Sequence, residues 1–178
     1  MFDIGTPHVR VRQSIRDPTE AKEDQRQMAK HAQAVHEAQA SWKGSLTEGS
    51  GQLVGSTSGK LAGMPLTWNA RTGADNSLTT PEELLAAAHA SCFAMALAYE
   101  LQGRQLPAES LEVSAAVGFD PKVGGGFAVS FSELTVKGTV PGISAADFAE
   151  AVKQASEGCP ISGALKGNVE IIATGELV

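Results

Sequence analysis

The sequence predicts an α+β domain with a largely antiparallel sheet and one long, buried helix, and three observations carry this reading. Residues 86–101, AAAHASCFAMALAYEL, are the most apolar stretch of the chain and follow a marked helix start. Two long segments of alternating polarity flank the triple glycine at 124–126, which is the pattern of a hairpin. The order of elements is a β-rich segment, the long helix, the hairpin, a helix and a last strand.

Before residue 39 the texture is different. In HVRVRQSI, Val9, Val11 and Ile15 alternate with Arg10, Arg12, Ser14 and Arg16, predicting a short edge strand. Asp17 as N-cap, Pro18 at the first helical position and Glu20 closing a capping box then start a polar helix, expected to reach about Gln39. Its apolar stripe of Ala21, Met28, Ala32 and Val35 is thin. Residues 1–38 therefore read as a strand–helix extension lying on the main domain or on a partner chain, with a partly disordered arm as the alternative; residues 39–178 form the main domain.

From Ala40 the segments ASWKGSLTEGSGQLVGSTS and MPLTWNAR read as short strands and turns. In TTPEELL, Thr80 caps a helix, Pro81 takes its first position, and Glu83 falls three residues after the cap to close a capping box. Glu83 thus has a structural job, and Glu82 is left free. Apolar residues then occupy nearly every side of the helix through Leu101. Such a helix is expected to be buried all round, by sheet on one face and by another helix or a second subunit on the other.

Beyond GRQLP, Leu111, Val113, Ala115 and Val117 alternate, as do Phe127, Val129 and Phe131 across the glycine turn. The parity slips before Leu134 and Val136, predicting a bulge near Ser132 and Glu133. Ser144 opens a helix with Phe148, Val152 and Ala155 inward and Gly158 at its end; CPISGAL is a short helix and NVEIIATGEL the last strand.

Composition narrows the function. The chain has 178 residues, 42% hydrophobic and 19% charged, and a formal charge of -6. With a pI near 5.2 and no basic cluster, a nucleic-acid partner is not expected. The apolar run from Leu84 to Tyr99 is short of the ~20 residues that a bilayer needs and is bracketed by Glu82, Glu83 and Glu100, so no membrane span is expected. The first residues show no apolar leader core, and two cysteines in such a chain suggest the reducing cytoplasm.

Those cysteines are the candidate chemistry. Taken alone, Cys92 in its apolar run reads as a small core hydrophobe. Cys159 precedes Pro160, which disfavours helical geometry and makes it the N-cap of the short helix, where free N–H groups favour a thiolate. His89 shares a helix face with Cys92, so a Cys–His hydrolase is conceivable, but no orienting third group is evident. His8, His31, His36 and His89 show no metal-ligand spacing with the cysteines, and GSGQLVG lacks the phosphate-loop spacings.

The segments TTPEELLAAAHASCFAMAL, GFAVSFSELTVKGTVPGI and EGCPISGALKGNVEI together resemble the OsmC/Ohr family of thiol peroxidases, and more closely its osmotically induced branch. The resemblance covers roughly Ala40 to Val178. It implies intertwined homodimers, with two sheets wrapped around central helices and active sites at the interface. It further implies that Cys92 is the peroxidatic cysteine, Cys159 the resolving one, Arg71 the active-site arginine and Glu82 its carboxylate partner. The implied reaction reduces organic hydroperoxides and hydrogen peroxide through a sulfenic acid and an intramolecular disulfide, in oxidative and osmotic stress defence. No cofactor is implied beyond an external dithiol reductant, for which a lipoyl-type dithiol is one candidate. Glu82 and Cys92 lie ten residues apart on one helix, roughly 15 Å along its axis. If both serve one site, they come from different subunits. The rival reading is a non-catalytic dimer that binds an apolar ligand and keeps both cysteines inert.

Overall fold

The computed structural model describes residues 32–178. The strand expected around Val9 and the start of the polar helix lie outside these residues. Over 32–37 the chain is irregular, and at Ala38 it enters a strand, so the helix does not reach Gln39 as expected.

Two three-stranded sheets organise the rest. The first holds β1 (Ala38–Lys43), β2 (Ser50–Ser56) and β3 (Pro65–Thr67), all antiparallel. Where the sequence suggested short strands and turns, Thr67 caps a one-turn helix, α1 (Trp68–Arg71), its Oγ1 accepting the Ala70 N–H at 3.1 Å. That turn carries Arg71.

The long helix, α2 (Pro81–Gly103), starts as its sequence demands: Thr80 Oγ1 accepts the Glu83 N–H at 3.0 Å, with Pro81 in the first turn. At 23 residues it extends beyond the apolar run and is long and apolar enough to cross a bilayer on length and composition. Its packing gives it another role. His89, Phe93, Leu97 and Leu101 recur at four-residue spacing and are fully buried against the second sheet and the next helix. The expectation of burial on every side does not hold within one chain: Ala87, Ala88, Ser91, Met95, Ala98 and Tyr99 form an open stripe, with Met95 67% and Tyr99 80% exposed.

The second sheet holds β4 (Ser110–Pro121), β5 (Phe127–Thr139) and β6 (Glu170–Leu177), in the order β4-β5-β6. Gly124, Gly125 and Gly126 all take positive φ and turn the hairpin. Its register jumps between Val117, opposite Ser132, and Phe119, opposite Val129, so that Ser130 and Phe131 face Gly118. This is the expected bulge, displaced by about two residues. The last strand runs parallel to β5 because the chain returns through α3 (Ala145–Gly158) and α4 (Pro160–Leu165).

Helix α3 seats Phe148, Ala151, Val152 and Ala155 on this sheet. It can approach because two strand positions lack side chains. A Cβ at Gly138 would lie 2.6 Å from Phe148 Cζ, and one at Gly175 would lie 2.7 Å from Val152 Cγ2. Gly138→Ala is therefore expected to destabilise the domain by about 1–3 kcal/mol, through overpacking. Gly103→Ala, where an added Cβ meets nothing within 4 Å, is expected to stabilise it by about 0.4–1 kcal/mol. Urea unfolding of both variants checks the pair, and equal midpoints would contradict the packing described.

Candidate functional site

Cys92 lies one residue before the buried Phe93, on the flank of α2, and is half-buried. Cys159 is the junction of two helices: it ends α3 and opens α4 with φ -70 and ψ 122, the extended geometry that Pro160 imposes. The two sulfurs, 67 residues apart in sequence, lie 3.3 Å from each other, and both thiols are free. Cys159 is fully buried.

Their environments differ. Burial pushes the Cys92 thiol up, and the neighbouring Cys159 adds to this, against a single opposing hydrogen bond from the Ile161 N–H. Burial also raises Cys159, but the Ser162 N–H, the Cys92 thiol, the Ser162 hydroxyl and the Ile161 N–H outweigh it and bring that thiol down. None of these donors forms an ideal cap bond; their sum decides the direction. With both thiols protonated Cys159 donates to Cys92, and after one proton leaves, the charge settles on Cys159.

Arg71 and Glu82 meet at the N-terminal end of α2. Arg71 Nη2 and Nε donate to Glu82 Oε1 at 2.9 and 3.2 Å, and Nε also reaches Oε2 at 3.3 Å. Glu82 is buried, while the Arg71 side chain keeps 36% of its surface exposed. The guanidinium carbon lies 4.4 Å from the ring centre of Phe119, which stacks on Phe127, and Trp68 meets both rings edge-on. The structure thus joins the four sequence-predicted residues two by two. Within one chain it does not bring the pairs together, because Glu82 lies in the first turn of α2 and Cys92 at its middle, roughly 15 Å further along the axis.

Sequence reasoning missed the polar partners of His89. Its Nδ1 lies 2.7 Å from Ser132 Oγ on β5 and its Nε2 2.8 Å from Ser162 Oγ on α4, all three side chains being buried. Those serines lie 43 and 73 residues away, beyond any local signal. With no carboxylate on the ring, the hydrolase reading of His89 loses its orienting group. Among the described residues, no group of three or more His, Cys, Asp or Glu side chains is placed to hold a metal.

The arrangement is that of a dithiol centre able to close into a disulfide, with a guanidinium–carboxylate clamp on the same helix. The chain belongs to the family of OsmC-like proteins, whose model matches residues 74–174. It is 38% identical over 133 residues to peroxiredoxin OsmC of Escherichia coli (strain K12), covering 75% of this chain and 91% of that protein. It is 37% identical over 105 residues to the organic hydroperoxide resistance protein of Xanthomonas axonopodis pv. citri (strain 306), covering 57% of this chain and 70% of that one. Among solved structures, an organic hydroperoxide resistance protein from Elizabethkingia anophelis superimposes with a TM-score of 0.65 at 25% identity, over 83% of this chain and 100% of the other.

Burial lowers the pKa of His89 below its usual value of 6.5. In the unfolded chain the ring takes a proton near that value, whereas the folded chain takes it only at lower pH. The unfolded state therefore binds more protons in that window, and stability is lost as pH falls below about 6.5. Urea midpoints at about pH 7.5 and about pH 5.5 should show a larger acid loss for the parent than for His89→Gln. Equal losses would place the acid sensitivity elsewhere.

Proposed function

We propose that the protein is a cysteine-based peroxidase that reduces organic hydroperoxides, and hydrogen peroxide, in defence against oxidative and osmotic stress. The observation that carries this reading is the 3.3 Å approach of two free thiols, one reachable and one fully buried. The names of the relatives point the same way. The peroxidase unit is residues 39–178, with 1–38 an appended segment.

Cys92, the sulfur a substrate can reach, is the attacking thiol. Its proton passes to Cys159, and the Cys92 thiolate attacks one peroxide oxygen, breaking the O–O bond and expelling alkoxide. Cys92 is left as a sulfenic acid; the alkoxide recovers the proton from Cys159 and departs as alcohol. The Cys159 thiolate then attacks the sulfenic sulfur, the disulfide forms and hydroxide leaves. An external dithiol in the cytoplasm, of which a lipoyl-type dithiol is one candidate, reduces the pair again by exchange.

Within one chain the charge of the thiol pair rests on the buried sulfur, away from substrate. A guanidinium beside Cys92 corrects this, holds the peroxide in line and stabilises charge on the departing oxygen. Arg71, oriented by Glu82, is that group, and it comes from a second copy of the chain seated on the open stripe of α2. An obligate homodimer with two interface sites follows.

One equivalent of cumene hydroperoxide is expected to remove both thiols and leave an intramolecular disulfide, read by thiol titration and intact mass. Thiols that survive would favour the rival apolar-ligand-binding dimer. For the dimer, inactive Cys92→Ser and inactive Glu82→Ala subunits are expected to recover activity when mixed, because each heterodimer holds one complete site. No recovery, with subunit exchange confirmed, would return Arg71 and Glu82 to a purely structural role.

A further inference from the structure

His89 is a buried titratable side chain for which the reaction above has no use. Among the described residues the buried polar side chains are Glu82, His89, Ser132 and Ser162; Arg71 engages the first, and the other three form one continuous chain. That chain ends in the first turn of the helix that Cys159 caps, since Ser162 is the third residue after Cys159, and its hydroxyl is among the groups that bring the Cys159 thiol down.

Counting hydrogens decides what the chain does. A neutral imidazole and two hydroxyls carry three hydrogens for two N···O contacts, so one hydrogen is spare. With the hydrogen on Nδ1, the ring donates to Ser132, Ser162 donates back to the ring, and the spare hydrogen belongs to Ser132, inside β5. With the hydrogen on Nε2, Ser132 donates to Nδ1, the ring donates to Ser162, and the spare hydrogen is the Ser162 hydroxyl proton facing Cys159. The second arrangement alone ends on a sulfur that can carry charge, and every donor in it points towards that sulfur.

We propose that His89 is a positioning residue for the thiol pair: as its Nε2–H tautomer it holds Ser162 so that the serine hydroxyl donates to Cys159 Sγ while the pair is reduced. The role rests on the peroxidase reading. It stabilises the Cys159 thiolate that forms when the alkoxide has taken its proton and that then attacks the sulfenic sulfur. Once the disulfide has formed, Cys159 loses its charge and is a poor acceptor; Ser162 then turns to Nε2 and the ring hydrogen moves to Nδ1. The ring tautomer follows the redox state of the pair. The titratable groups facing Cys159 are Cys92 from α2 and, through Ser162, His89; no carboxylate or lysine is among the buried side chains there.

Two measurements on the full chain test this without any peroxide. Nitrogen-15 NMR of the imidazole should give the Nε2–H tautomer in the reduced protein and a shift towards Nδ1–H in the oxidised one. In a Cys92→Ser background, where only Cys159 titrates as a thiol, ultraviolet thiolate absorbance should show its midpoint raised by about one pH unit in Ser162→Ala and in His89→Leu. His89→Gln, whose amide N–H still donates to Ser162, should recover most of that shift. An Nδ1–H ring in the reduced protein, an unmoved midpoint in Ser162→Ala, or equal midpoints for the Gln and Leu variants would overturn the proposal. The tautomer measurement needs no substitution, so it stands even if His89→Leu fails to fold. Neither readout consumes peroxide, so failure here leaves the disulfide experiment untouched, and inert thiols there leave the tautomer to be read.

Discussion

The contact on which the rest depends is the approach of Cys92 to Cys159, sulfur to sulfur at 3.3 Å. It joins two residues 67 apart in sequence, and each arrives for its own reason. Helix α2 is fixed in rotation by the four-residue stripe of Phe93, Leu97 and Leu101 on the second sheet, which leaves Cys92 on the flank. Cys159 is fixed by Pro160 and by the seat of α3, where Phe148 and Val152 lie over the bare backbone of Gly138 and Gly175. A rotation of α2 by one residue, about 100°, would carry the Cys92 sulfur off that flank and end the contact.

That same rotation sets out the second pair. Glu82 and Cys92 ride on one rigid element, and helical rise keeps them roughly 15 Å apart whatever the side chains do. The chain therefore carries two separate pairs, each internally satisfied: a carboxylate–guanidinium pair braced on Phe119, and a thiol pair at the start of α4. The open stripe of α2 runs past Cys92 to Met95 and Tyr99 and is the apolar surface that one chain leaves uncovered on this helix.

Much of this was legible because the signals were local. The Thr80–Pro81 helix start, the triple-glycine turn and the extended Cys159 before Pro160 are each decided within a few residues, and each stands where the sequence put it. The bulge was anticipated from a slip in alternation, yet displaced, because alternation marks where parity has changed and not which residue absorbs it. The helical turn at Trp68–Arg71 fell in a segment read as short strands and turns, since four residues are too few for a helical period to show and only the Thr67 cap betrays it. The Ser132–His89–Ser162 chain had no sequence signal: its members join three elements only after the parallel return of β6 has closed the sheet.

Why a peroxidase site should need so much scaffolding follows from the limits of acidity. Lowering a thiol from a pKa of about 8.5 to about 6 raises its thiolate fraction at neutral pH roughly 30-fold. With a Brønsted slope of about 0.4–0.5, the same shift makes each thiolate roughly 10- to 18-fold less nucleophilic. Charge on sulfur alone therefore gains about 2- to 3-fold. The remaining acceleration has to come from placement: a forked donor held in line with the breaking O–O bond, and a second sulfur already within reach of the first. In this chain the buried hydrogen bonds fix both kinds of group in place: Glu82 holds the Arg71 guanidinium and His89 holds the Ser162 hydroxyl.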